Sequence, residues 1–441
     1  MILDVTKSTL HEIKNPALRE YANIYLKIYQ DFMDQVRQMG LEVEEEDTSM
    51  TVAQRVADLR KKGATVRNSD KSIYVNHISP SCVACQTGIG SSTFFISLNC
   101  HRDCFYCFNP NQEGYEYYRG HMRDVIAELD ELRQTNPRMG HLALTGGEPL
   151  LHKEQTYGFF EHVRELYPNS YTRLYTSGDH IDRATLESLQ KSGLKEIRFS
   201  IRMHDLAKGH RHTFDTIALA REYIPNVMVE MPVLPGTLEE MKDLLVELDR
   251  LGIFGINLLE LCFPLSNADV FREKGYRVKA RPFRVLYNYW YAGGLPIAGS
   301  ETVCLDLMDF ALEAGLKLGV HYCSLENKHT GQIYRQNSGL NLPKHMHFSQ
   351  KDYFLKTAKV FGEDVPAVKQ LFDKVGYCDY VLSEDYDSLE FHVNQIGSLK
   401  KLDLDVGISA QVIETRENEN VFRELKVDVT TPQTFRLSKD I

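Results

Sequence analysis

Cys100, Cys104 and Cys107 stand in the run LNCHRDCFYCFNPNQ, three residues apart and then two. His101, Arg102 and Asp103 lie between them and Asn109 follows, so this is a polar loop. That setting is a poor one for thiols packed as small core residues. Structural zinc ordinarily takes four ligands, commonly from paired CxxC knuckles, whereas this loop offers three at unequal spacing. Three thiolates on one short loop suit a cubane [4Fe–4S] cluster, in which each cysteine holds one iron and the fourth iron stays open to a chelating ligand. Zinc remains the alternative chemistry.

Further along, HLALTGGEPLL (141–151) reads as a strand that ends in Gly146-Gly147-Glu148-Pro149. Glycines there let the backbone approach another group closely, although a simple turn would use the same residues. The CxxxCxxC loop with aromatic Tyr106 before its last cysteine, followed by this GGEP element, resembles the radical S-adenosylmethionine (SAM) superfamily. The resemblance implies a [4Fe–4S] cluster on Cys100, Cys104 and Cys107, with SAM on the open iron. It assigns Tyr106, Gly146, Gly147 and Glu148 to the cofactor site, the glycine element receiving the methionine amino group. Ser200 and Arg202, in IRFSIR, would meet the ribose and carboxylate of SAM. Thr176, Ser177 and Glu230 are further polar candidates on strands.

These residues need a scaffold that brings them together. Candidate strands at 93–99, 141–145, 172–177, 196–201, 226–232 and 255–261 alternate with amphipathic helical stretches. GHMRDVIAELDELRQT places Val125, Leu129 and Leu132 on one face, and TLEEMKDLLVELDRLG does the same with Met241, Leu244, Leu245 and Leu248. The rhythm predicts an α/β fold, a partial (β/α)6 barrel of TIM type. Barrels of this kind carry ligands at the carboxyl ends of their strands, where the cysteine loop and GGEP both fall. Outside the barrel we expect a helical cap at 1–75 and an α+β unit at 339–441 that grips or covers a substrate. The barrel itself would span 76–338.

Six cysteines remain. Cys82 and Cys85 form a CxxC before the first strand, Cys323 sits at a strand end beside His321, and Cys262 ends the sixth strand. Cys82, Cys85 and Cys323 are candidate ligands of a second iron–sulfur cluster, with Cys262 a fourth; zinc or ordinary thiols are the other readings. Cys304 is spaced like a core residue among Leu307, Met308 and Leu312, and Cys378 stands alone in the tail.

The chain has 441 residues and a net charge of −10, which argues against nucleic acid as the main partner. Its first residues lack a secretory pattern and no window is apolar enough to span a membrane, so a cytoplasmic protein is expected. The resemblance implies reductive cleavage of SAM to a 5′-deoxyadenosyl radical that removes a hydrogen atom from a C–H bond, fed by a one-electron donor such as flavodoxin or ferredoxin. The layout is similar to members that modify ribosomally made peptides, and more loosely to proteusin-type peptide epimerases. There Cys378 would return a hydrogen atom as the catalytic thiol. A glycyl-radical enzyme activase and an enzyme acting on a small molecule are alternatives, as is a non-catalytic zinc or electron-carrier protein.

Overall fold

The computed structural model describes residues 1–203, 212–287, 293–417 and 419–441. The chain divides into two compact units. One comprises Gly40–Pro282 and Tyr289–Gly331; the other comprises Met1–Met39, Phe283–Asn288 and Gln332–Ile441.

The first of these units is organised on a nine-stranded sheet. Strands Ser91–Phe95, His141–Thr145, Tyr171–Thr176, Glu196–Phe199, Asn226–Val233 and Gly255–Glu260 lie side by side in chain order, all parallel. These are the six expected strands. Gly319–Cys323 adds a seventh parallel strand beside the sixth. Its five residues are all buried, so no alternation marks it as part of the sheet. Ser72–Val75 pairs antiparallel with it, and Thr65–Arg67 lies outermost. The two edge strands do not meet, which makes this an open partial barrel.

Local signals set the helices between the strands. Helix Leu238–Leu251 buries Met241, Leu244, Leu245 and Leu248, the i, i+3, i+4, i+7 stripe of an amphipathic helix, and Gly252 ends it at φ 64°. Asp124 and Asp182 begin two other helices by accepting from the amides of Ala127 (3.0 Å) and Thr185 (2.7 Å). Leu142, Leu144, Leu174, Ile197, Phe199, Val227 and Val229 carry the outer face of the sheet into one core with these helices. Residues between them in sequence, such as Arg173, Tyr175, Glu196, Arg198 and Glu230, therefore face the interior.

The other unit is an α+β layer, as expected. Its sheet runs Tyr380–Ser383, Ser388–Phe391, Leu355–Phe361, Val406–Arg416, Glu419–Thr430, antiparallel throughout. Helix Asp364–Val375 sets Val365, Val368 and Phe372 into a core with Ala358, Val360, Leu389 and Phe391.

The expected cap at 1–75 does not form one body. Helix Pro16–Gln38 places Leu18, Tyr21 and Ala22 against Phe361, Val427 and Val429 of the α+β unit. Helix Ser49–Lys62 instead sends Val56 and Leu59 into the barrel core, and its Lys62 pairs with Asp309 (2.5 Å) and Glu313 (3.0 Å). Residues Thr65–Arg67 and Ser72–Val75 join the barrel sheet. Amphipathicity shows that a helix has an apolar face, not which surface receives it. No helix of the described residues is long and apolar enough to cross a membrane.

Leu245 is fully buried in the barrel core. Leu245→Ala should cost about 3 kcal/mol in urea unfolding of the barrel, the usual range for a leucine cavity. A loss within error of zero would show that the Leu238–Leu251 helix does not close this core.

Candidate functional site

The cysteine loop begins where the first parallel strand ends. That strand was expected to run to 99 but stops at Phe95, because the next residues pair with a turn instead of a strand. The Gly147 amide donates to Ser97 O (3.0 Å) and the Glu148 amide to Asn99 O (2.8 Å). The glycines are required by this contact. A Cβ on Gly147 would sit 1.9 Å from Asn99 O, and one on Gly146 (φ +114°) would sit 2.5 Å from Ser97 O. On the far side of the loop, Asn109 Nδ2 donates to Gly146 O at 2.7 Å. The cysteines at 100, 104 and 107 are thus held between two bonds to the same turn.

Glu148 extends the construction to the third strand. Its buried carboxylate accepts from Thr176 Oγ1 (2.7 Å), the Ser177 amide (2.6 Å) and the Leu150 amide (3.1 Å). The carboxylate is committed to the scaffold, as are Thr176 and the backbone of Ser177, so any contact of Glu148 with a cofactor would come from its backbone. Arg102, between the first two cysteines, donates to Asp179 through Nε and Nη2 (2.6 Å each) and to the carbonyls of Ser200 (3.1 Å) and Ser177 (3.3 Å). His101 and His212 also reach Asp179, at 2.6 and 3.3 Å. Partial burial pushes the Asp179 carboxyl up, but the donors from Arg102 and His101 overcome it and hold the group well below the usual carboxylate range. Sequence reasoning missed Arg102 and Asp179; the available signal was a charged residue inside the loop and an Asp just past the third strand.

The three thiols are close enough to feel one another. Burial pushes all three up, Cys107 to about 11, and neighbouring cysteines add to the shift at Cys104 and Cys107. Such a group gains by exchanging protons for a cationic centre. Arg202 hydrogen-bonds Cys104, and so does Tyr106, whose hydroxyl is pushed up first by burial and then by the Cys104 charge. Ser200 follows the fourth strand, its amide bonded to Thr176 O at 2.9 Å. Among the described residues no three Cys, His, Asp or Glu side chains converge to enclose a single metal ion. A cubane does not demand that, since each cysteine holds a different iron. The donor set, three thiols with no carboxylate among them, fits such a cluster, and of the other candidates Tyr106 and Arg202 touch Cys104.

The other expected ligands lie deeper. Cys82 and Cys323 are buried, whereas Cys85 is exposed although burial raises its thiol, as in a recess. Cys82 Sγ accepts from Arg198 Nη2 and Asn257 Nδ2, both at 3.3 Å, and Cys323 Sγ accepts from Asn327 Nδ2 at 3.3 Å. Cys85 and Cys82 both raise the Cys323 thiol, after burial, so the three form one electrostatic group. Arg198 also binds Glu196 (2.7 Å) and Glu230, and Asn257 binds Glu230 (2.6 Å) and His321 (2.7 Å). Cys262 is buried and raises the Cys107 thiol; Cys304 is fully buried in the core, as expected. Cys378 lies in the α+β unit, exposed, just after helix Asp364–Val375.

Burial alone would raise the Cys82 thiol, but the Arg198 guanidinium and a hydrogen bond with His321 bring it down to about 6. A depressed acid stabilises the fold above its unfolded value, near 9, and loses that contribution as pH falls to about 6. Metal-free protein should therefore show a thiolate absorbance step near pH 6 that disappears in Cys82→Ser. A wild-type protein without that step would place the Arg198 charge elsewhere.

Residues 94–248 match the sequence profile of the Radical SAM superfamily. A Methanocaldococcus jannaschii protein with the provisional name of a glycyl-radical enzyme activating enzyme is 25% identical over 253 residues, covering 55% of this chain and 62% of its own. The chain thus spans less than two thirds of that curated relative. Streptococcus suis SuiB bound to precursor peptide SuiA shares 13% identity, over 72% of this chain and 66% of its own, at a TM-score of 0.38. The enzyme anSMEcpe with bound AdoMet and a peptide shares 21%, over 40% of this chain and 51% of its own, at 0.32. The span that resembles the Radical SAM superfamily holds the cysteine loop, the GGEP turn and the Arg102–Asp179 pair.

Proposed function

We propose that the chain holds a [4Fe–4S] cluster on Cys100, Cys104 and Cys107 and cleaves SAM reductively to start hydrogen abstraction from a peptide or protein substrate. The observation that carries this reading is the double attachment of the cysteine loop to the Gly146–Glu148 turn. When bound, the reduced cluster supplies one electron to the sulfonium of SAM, which yields methionine and a 5′-deoxyadenosyl radical. The protein's part is orientation. Gly146 and Gly147 let their turn pack against Ser97–Asn99 beside the cysteine loop, where its backbone would receive the methionine amino group, and Arg202 brings a positive charge beside Cys104 for the SAM carboxylate. Ser200 stands at the end of the fourth strand for the ribose, and Tyr106 borders the loop. A one-electron donor protein and a cytoplasmic setting complete the reading.

Anaerobically reconstituted protein, given dithionite and SAM, should release 5′-deoxyadenosine. The Cys100→Ala/Cys104→Ala/Cys107→Ala variant should release none and lose its iron. We expect about four irons per chain, one cubane. About eight would put a second cluster on the candidate ligands Cys82, Cys85 and Cys323. Wild-type protein that holds iron yet never forms 5′-deoxyadenosine would overturn the proposal.

Within that chemistry we propose epimerisation of a ribosomally made peptide, with the exposed Cys378 returning a hydrogen atom to an α-carbon. Cys378→Ala should leave SAM cleavage intact and abolish deuterium uptake from heavy water into the peptide. Undiminished uptake in the variant would remove Cys378 from the mechanism. The second reading is activation of a glycyl-radical enzyme, favoured by the name of the Methanocaldococcus relative. It requires a glycyl radical signal on a partner protein after turnover, with no peptide mass change.

A further inference from the structure

Arg173, on strand Tyr171–Thr176, faces the interior of the barrel and is 8% exposed. Among the described residues its guanidinium has no hydrogen bond or ion pair, and its Nε is buried without a partner. It lies over the Tyr175 ring, 5.2 Å from the centroid. The acids nearby are already engaged. Glu196 accepts from Ser79 (2.6 Å), Tyr171 (2.9 Å) and Arg198 (2.7 Å), and Glu230 is held by Arg198 and by Asn257 at 2.6 Å. Across the two neighbouring strands Arg173 is paired with Ala143, which offers no side-chain acceptor, and with Glu196, whose carboxylate is taken by those three donors. The Arg173 charge also reaches the thiol of Cys85, which is exposed in its recess. A buried guanidinium, a fork of five donors, is costly to leave without an acceptor, so the missing acceptor belongs to a ligand.

We propose that Arg173 forms an anion subsite in the barrel interior, built to take a carboxylate of the substrate, with Tyr175 and Cys85 at its edge. The fork matches carboxylate and phosphate alike. Glu196 and Glu230, close by, repel a doubly charged group more than a singly charged one, which favours the carboxylate. The subsite goes beyond SAM cleavage and does not depend on it.

The test uses the anaerobic, cluster-loaded protein and two alkylating probes of similar size, anionic iodoacetate and neutral iodoacetamide. Labelling of Cys85 is followed by peptide mass spectrometry, with exposed Cys378 as reference in the same chain. The iodoacetate-to-iodoacetamide rate ratio should be about tenfold higher at Cys85 than at Cys378, the size of one charge-assisted bond. Arg173→Gln should bring the two ratios together, while Arg173→Lys keeps part of the preference. Acetate should slow iodoacetamide labelling of Cys85 in the wild type and not in Arg173→Gln. Equal ratios in the wild type, a ratio unchanged in Arg173→Gln, or a Cys85 that does not react would overturn the proposal. Protection by inorganic phosphate stronger than by acetate would overturn the carboxylate assignment. None of these readouts involves 5′-deoxyadenosine, so a failure here is separable from a failure of SAM cleavage.

Discussion

The site depends on one backbone contact: the approach of Gly146–Gly147 to Ser97–Asn99. No side chain fits there, since a Cβ on Gly147 would fall 1.9 Å from Asn99 O, inside any van der Waals distance. The contact ends the first strand early and fixes where the cysteine loop starts. It also aims Glu148 inward, where Thr176 and the Ser177 amide wait for an acceptor. Arg102 then returns from the cysteine loop to Asp179 beyond the third strand. The ends of the first three parallel strands are tied in a circuit, and each tie presupposes the one before. A carboxylate with three donors in a dry site tolerates no substitute that leaves a donor unmet, because each unmet buried donor costs about 1–3 kcal/mol.

Beneath that rim the barrel keeps two different faces. Outward, Leu174, Ile197, Phe199, Val227 and Val229 meet the helices. Inward, Arg198 binds Glu196, Glu230 and the Cys82 sulfur in a space nearly closed to water. Charges buried in this way survive only when each is paired and hydrogen-bonded, and removing one partner strands the rest. Ser79, Tyr171, Asn257 and His321 supply the remaining bonds. Among the described residues of this face, Arg173 keeps its buried Nε without a partner.

Much of this was legible in the sequence, for reasons that are local. The six strands and the buried stripe of helix Leu238–Leu251 follow from periods of two and 3.6, which neighbouring residues alone express. The cysteine loop and the GGEP turn were found by spacing. What stayed hidden depends on partners far along the chain. Asp179 lies 77 residues from Arg102, and nothing in TSGD says that its carboxylate closes on the cysteine loop. That the Glu148 carboxylate closes on Thr176 and the Ser177 amide is likewise not written in GGEP; only the fold shows its oxygens engaged. The first helix read as a cap, and its apolar face belongs with Phe361, Val427 and Val429 instead.

The two thiols of the CxxC illustrate how far the same environment can separate identical groups. Cys82 sits against the Arg198 guanidinium, and near pH 7 its lowest-energy form is the thiolate. Three residues on, Cys85 is raised first by burial and then by the Cys82 charge itself, so it keeps its proton. A thiolate has no hydrogen atom to give but accepts N–H bonds well, which is how Arg198 and Asn257 use Cys82. A protonated thiol in an accessible recess is free of that structural duty. Placing one guanidinium against Cys82 thus makes one sulfur part of the scaffold and leaves the other to face whatever enters the barrel.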